Sequence, residues 1–204
     1  MGVSAIISDF GGVLTSPLSD LFASLREDPS VDLEAFGAAL WAASEKRGSN
    51  LFFDLEKGFV SEADFLAAVG AELGRELPSL ADRFGSALEP NHELFAWFRG
   101  VHERGVRLAI LTNNVREWER HWRPLLPIDE IFDVVVDSAF VGLRKPEPEI
   151  YALTLERLGI PDPGEVAFVD DIEVNVVAAR AFGLHGVVFE STPQAIADLE
   201  ALLA

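Results

Sequence analysis

From about residue 92 onward the chain alternates helical and strand patterns without a break. Runs rich in β-branched and aliphatic residues, at 106–111, 133–137, 165–169 and 186–189, read as short buried strands. The intervening spacing predicts helices over 92–104, 116–124, 147–158, 173–182 and 193–203. Gly105, Gly159 and Gly183 stand where helix C-caps belong. Strands that alternate with helices imply a parallel sheet covered on both faces. One more strand opens the chain, in Ala5-Ile6-Ile7-Ser8.

The stretch 16–88 carries no clear strand pattern and reads as helices with loops. Leu33 to Trp41 has helical apolar spacing. Ser61-Glu62-Ala63-Asp64 resembles a capping-box start, with Asp in the usual Glu place. The expected layout is an α/β core of residues 1–15 and 89–204, interrupted by a helical insert at 16–88.

Composition narrows the chemistry. The chain has no cysteine, so disulfides, thiolate nucleophiles and zinc–thiolate sites are excluded. Its four histidines, His92, His102, His121 and His185, are scattered and show no metal-ligand spacing. A net charge of −18 disfavours nucleic acid and anionic membranes as partners. No apolar run reaches the roughly 18 residues of a membrane span. No signal-peptide pattern precedes the first strand, so a cytoplasmic protein is expected.

The chemistry is expected at the strand ends, because ligands of open parallel sheets bind outside the carboxyl ends of the strands. Three strands run into polar residues there: Asp9, Thr112-Asn113 and Asp170-Asp171. An ionised Asp ending a buried strand is costly unless something pairs with it. Gly11 and Gly12 after Asp9 permit a sharp turn and close approach to an anion. Lys145 lies in the loop Gly142-Leu143-Arg144-Lys145-Pro146-Glu147-Pro148-Glu149, just before a helix. Asp9, Asp170 and Asp171 offer hard oxygen ligands suited to Mg²⁺. Thr112, the Asn113 N–H and the Lys145 ammonium are donors suited to a phosphoryl group. Asp9 also has the chemistry of a nucleophile that forms an aspartyl-phosphate.

Taken singly, each of these has an ordinary alternative. Thr112-Asn113-Asn114 reads as a turn with an N-cap, Lys145 as a solvated loop cation, and Asp170-Asp171 as the cap of the next helix. In order and spacing together, the four segments resemble the motifs of the haloacid dehalogenase-like hydrolase superfamily, most of whose members are phosphatases. The segments are Ile6 to Leu14, Ile110 to Asn113, Lys145 to Pro148, and Phe168 to Asp171 with Asn175. The resemblance implies a Rossmann-like parallel sheet with 16–88 as an α-helical cap domain over the site. It implies a small phosphorylated metabolite as substrate and Mg²⁺ as cofactor. Asp9 would be the nucleophile. Phe10, Gly11, Thr112, Asn113 and Lys145 would hold the phosphoryl oxygens. Asp9, the Gly11 carbonyl, Asp170 and Asp171 would hold the metal, and Asn175 would support the loop or Lys145.

Gly11 departs from the pattern, since phosphatases of this superfamily usually carry a general acid/base Asp there. Asp54 and Glu56 are candidate substitutes from the insert. The departure also keeps open a non-enzymatic phospho-ligand-binding protein and, more remotely, a 2-haloacid dehalogenase. Trp41, Arg47, Phe52 and Phe53 read as core residues, with pocket lining as the alternative.

Overall fold

The computed structural model describes residues 2–17, 32–81 and 88–204. Five parallel strands form one sheet: β1 (Ala5–Ser8), β2 (Arg107–Thr112), β3 (Val134–Asp137), β4 (Val166–Asp170) and β5 (His185–Val188). Their spatial order is β3-β2-β1-β4-β5. The order reverses between β1 and β4, and the crevice at that switch point is where a ligand belongs. The expected Rossmann-like α/β core is present.

The described helices are α1 (Leu33–Arg47), α2 (Leu51–Glu56), α3 (Glu62–Leu73), α4 (His92–Glu103), α5 (Glu119–Trp122), α6 (Ser138–Val141), α7 (Pro148–Leu158), α8 (Glu173–Phe182) and α9 (Thr192–Leu203). Strand alternation sorts the core into two layers. Ile6, Leu108, Ile110, Ala167 and Val169 pack with Leu94, Phe98 and Val101 of α4 and Leu199 of α9. Ile7, Ala109, Leu111, Val166 and Phe168 pack with Ile150, Tyr151 and Leu155 of α7 and Val176 of α8. Both faces are thus apolar and covered, which is why these strands read as continuous apolar runs.

Helices α1 to α3 lie between β1 and β2 in sequence. Asp32, Asn50 and Ser61 cap them at their N-termini. The Asp64 carboxylate accepts from the Ser61 hydroxyl at 2.7 Å; one methylene shorter than Glu, it does not complete the reciprocal box. The chain leaves and re-enters the core at two adjacent places. Thr15 and Pro90 form an antiparallel bridge, and the Ser16 N–H donates to Glu89 O at 2.8 Å.

Two expectations are corrected. The helix expected over 116–124 is three short pieces, with 3₁₀ turns at Arg116–Trp118 and Arg123–Leu125 around α5. Pro124 has no N–H to continue an α-helical ladder. Trp41, Arg47 and Phe53 are not core: Trp41 and Phe53 are 68% and 42% exposed, and Arg47 is a surface partner of Asp54. Phe52 does pack against the core, with its ring edge-on to Phe65 at 6.4 Å. Among the described residues, no helix is long and apolar enough to cross a membrane.

Candidate active site

The carboxyl ends of β1, β2 and β4 converge as expected. Lys145 Nζ lies 2.8 Å from Asp9 Oδ1 and 2.6 Å from Asp170 Oδ2. All three side chains are buried, Lys145 with 1% of its surface exposed. Asp9 Oδ1 also accepts from the Phe10 N–H at 2.7 Å, which fixes the plane of the carboxylate. The Phe10 N–H, expected as a phosphoryl donor, is therefore engaged by Asp9 in this structure.

Each member is held by a second set of contacts. Asn113 reads the Lys145 backbone on both sides: its Oδ1 accepts from the Lys145 N–H at 2.8 Å, and its Nδ2 donates to Lys145 O at 2.9 Å. Its side chain thus positions the lysine, while Thr112 closes β2 beside it, buried. Asp170 accepts from both Asn175 Nδ2, at 3.1 Å to each oxygen, and the Ile172 N–H at 2.8 Å. Asn175 therefore supports Asp170 rather than Lys145. In turn Tyr151 Oη donates to Asn175 O at 2.9 Å.

Electrostatics follow from this crowding. Burial pushes the Asp9 carboxyl up to about 8; the Lys145 ammonium opposes the rise, while Asp170 and Asp171 add to it. Burial and Asp170 likewise push Asp171 up, against Lys145. Burial alone would lower Lys145, but Asp170 and Asp9 outweigh it and hold the ammonium above its usual range. Three carboxylates thus stand around one ammonium, which leaves the cluster short of positive charge.

A divalent cation fits that shortage. Asp9, Asp170 and Asp171 bring carboxylate oxygens within 4.8 Å of one another. Asp171 Oδ1 is buried without a hydrogen-bond partner, which is costly for a carboxylate lacking a ligand. The donors are hard oxygens, as Mg²⁺ prefers. Gly12 makes room: at φ +82°, any Cβ there would collide with the Asp171 carboxylate. Gly11 lies in the same turn.

The inserted helices reach the loops on either side of this centre. Glu56 Oε2 binds Arg144 Nε at 2.7 Å, and Lys57 Nζ binds Glu147 at 2.5 Å. Trp118 Nε1 donates to Glu62 Oε1 at 2.8 Å. Neither candidate substitute acid stands free. Burial raises Asp54, but Ser49 and Arg47 outweigh it and hold the carboxyl below its usual range. Burial raises Glu56 against the pull of Arg144.

Sequence reasoning missed Asp137. It ends β3, opposite Thr112 in the ladder, with Oδ2 buried and unpartnered. Burial pushes it up to about 7, against the Ala139 N–H that it accepts. The available signal was the one that marked Asp9, a carboxylate ending a β-branched run.

The chain is similar to several known proteins and solved structures. A sesquiterpene phosphatase of Aspergillus oryzae is 27% identical over 194 residues, 89% of this chain and 87% of that protein. Acyl-CoA dehydrogenase family member 10 of Mus musculus is 38% identical over 104 residues, 50% of this chain. The match takes in 9% of the mouse protein's length. An HAD-like family hydrolase of Porphyromonas gingivalis superposes at a TM-score of 0.73, with 26% identity and 98% of both chains covered. Two further structures share the fold. An HAD family enzyme of Bacteroides thetaiotaomicron, in complex with magnesium and inorganic phosphate, has a TM-score of 0.65 and 23% identity, over 92% of this chain and 94% of that one. The L-2-haloacid dehalogenase RSc1362 has a TM-score of 0.70 and 19% identity, over 98% and 100%. Residues 3–183 match the family model itself, and the chain belongs to the haloacid dehalogenase-like hydrolases.

Proposed function

We propose that the protein is a Mg²⁺-dependent phosphomonoester hydrolase that acts on a small phosphorylated metabolite. The observation that carries this is the buried Asp9–Lys145–Asp170 triad beside an Asp171 oxygen with no partner. A phosphatase among the relatives and a magnesium–phosphate complex among the structural neighbours support it. Asp9, Asp170, Asp171 and the Gly11 carbonyl would hold Mg²⁺, which supplies charge neutralisation for an incoming phosphate.

The chain's own residues then divide the work. Asp9 attacks phosphorus in line, forming an aspartyl-phosphate as the ester oxygen departs. Lys145, Thr112 and the Asn113 N–H bind phosphoryl oxygens, and the Asn113 side chain holds the Lys145 backbone in place. Water then hydrolyses the aspartyl-phosphate and releases inorganic phosphate. Residues 16–88 act as a cap that excludes bulk water and selects the organic group.

Hydrolysis of p-nitrophenyl phosphate with Mg²⁺, with EDTA, and in Asp9→Asn tests the reading. Turnover is expected only with Mg²⁺ and Asp9 together, and Asp9→Asn should lower kcat by about 10⁴-fold or more. Turnover that survives Asp9→Asn or EDTA refutes it. Gly11 favours a second reading, a phospho-ligand-binding protein, because it leaves the usual acid position without a side chain. Binding of Mg²⁺ and inorganic phosphate with no turnover by the folded protein would select that reading.

A further inference from the structure

The loop that carries Lys145 is gripped from two directions. From the core, the Asn113 side chain bonds both sides of the Lys145 backbone. From the insert, the C-terminus of α2 bonds the residues flanking it. Glu56 takes Arg144, one residue before Lys145, and Lys57 takes Glu147, two residues after. The two pairs have opposite polarity: an acid of the insert meets a base of the loop, then a base meets an acid. A shift of α2 by one residue along the loop would set Glu56 toward Glu147 and like charge against like. The arrangement therefore fixes a register as well as a contact.

The Glu56–Arg144 pair is the stronger of the two. Its side chains are only 12% and 13% exposed, against 32% and 21% for Glu147 and Lys57. The Arg144 guanidinium also stacks on the Phe53 ring, 3.8 Å from its centroid, so α2 touches it on two sides. The Glu56 carbonyl accepts from Ser138 Oγ at 2.6 Å, and Ser138 Oγ accepts from the Asn114 N–H at 3.0 Å. One turn of α2 is thus tied to the Lys145 loop and, through Ser138, to the segment after Thr112. These are the two loops that supply the phosphoryl donors.

We infer that Glu56 and Arg144 are positioning residues that couple the seating of the inserted helices to the placement of Lys145. With α2 docked, the loop holds Lys145 between Asp9 and Asp170. With the pair broken, Asn113 and the more exposed Lys57–Glu147 pair hold the loop, and the ammonium is less well aimed. The inference rests on the reading of Lys145 as a phosphoryl-binding group.

The test uses Glu56→Gln, Arg144→Met, the double variant and Arg144→Lys in the full chain. Each of the first two should lower kcat on p-nitrophenyl phosphate about tenfold, and raise the inhibition constant of inorganic phosphate by a similar factor. The double variant should be no worse than the worse single, since both break one contact. Arg144→Lys, which keeps the charge, should recover part of the loss. Hydrogen exchange gives a readout that needs no turnover. The Lys145 amide should exchange about tenfold faster in both single variants, while amides of α7 stay unchanged. Additive losses, or a lowered melting temperature with unchanged kcat, phosphate inhibition and Lys145 exchange, would overturn the inference by reducing the pair to a structural contact. A wild-type protein without turnover would refute the hydrolase reading instead, and the exchange data would still decide the coupling.

Discussion

Charge is placed in opposite ways in the strand-end site and on the outside of the inserted helices. At the strand ends, Asp9, Lys145 and Asp170 are almost fully removed from water. On the insert, Lys46 and Arg47 pair with Glu72 and Asp54 while keeping 71% and 45% of their side-chain surface exposed. The distances are alike, 2.6 Å for Lys46–Glu72 and for Lys145–Asp170. Distance therefore does not separate the strand-end pair from the outer one; burial does. A charge kept in the interior against its desolvation cost needs a reason beyond stability.

Breaking the buried side of the comparison should have the largest effect. Lys145→Met leaves Asp9 and Asp170 buried without their cation, and should cost about 3–5 kcal/mol. The protein should melt at a markedly lower temperature in EDTA and lose turnover. Lowering the pH should restore part of the stability by protonating the stranded carboxyls. A melting curve that matches wild type at neutral pH would mean that the triad is not a desolvated unit.

The same contrast explains what could be read from the sequence. Asp9, Thr112, Asn113, Asp170 and Asp171 were legible because each is a local event, a polar residue ending an apolar run, and the parallel topology brings such ends together. Lys145 needed its place in the motif order. The Glu56–Arg144 pair was not legible, since its partners are 88 residues apart in sequence and no local pattern links them. Trp41 and Phe53 misled for the opposite reason. Large aromatic residues are ordinarily buried in a core, and only the packing of α1 and α2 shows that these two are not. The broken helix after β2 has its local reason in Pro124, which has no N–H to continue the ladder.

Asp137 sharpens the comparison within the core, because it is buried as the triad is but its Oδ2 has no hydrogen-bond partner. Its carboxyl stands at about 7 in the folded chain against 3.8 ordinarily. A raised carboxyl binds its proton more tightly when folded. Its contribution is full below about pH 4 and is lost as pH rises through about 7. The loss should be on the order of 2–4 kcal/mol. Asp137→Asn should flatten that stretch of the stability curve, since Asn keeps the acceptor for the Ala139 N–H. The measurement belongs in an Asp9→Asn background, where the carboxyl raised to about 8 is removed. An unchanged slope would show that Asp137 is already ionised at neutral pH.

A smaller effect separates two glycines. Gly12 and Gly74 both sit at positive φ, +82° and +67°, but a Cβ at Gly74 meets nothing within 4 Å. Each change to Ala should cost about 1–2 kcal/mol for the backbone conformation. Only Gly12→Ala should also displace Asp171 and weaken Mg²⁺ binding, read by calorimetric titration. Equal Mg²⁺ affinity in the two variants would remove Asp171 from the proposed metal site.

The smallest effect belongs to the exposed side. Lys46 Nζ sits 2.6 Å from Glu72 Oε1, joining the end of α1 to the end of α3. By distance alone it rivals Lys145–Asp170. Yet its ammonium stays in water, which screens the attraction, and ordering a long side chain offsets much of the remainder. Lys46→Ala should change stability by less than about 0.5 kcal/mol and leave turnover and Mg²⁺ affinity unchanged. The small stability change should shrink further in high salt, whereas the loss in Lys145→Met should persist there, because a buried pair is shielded little by mobile ions. A large salt-resistant loss in Lys46→Ala would break the comparison, for it would show that the outer face of the insert holds its charges as tightly as the strand ends do.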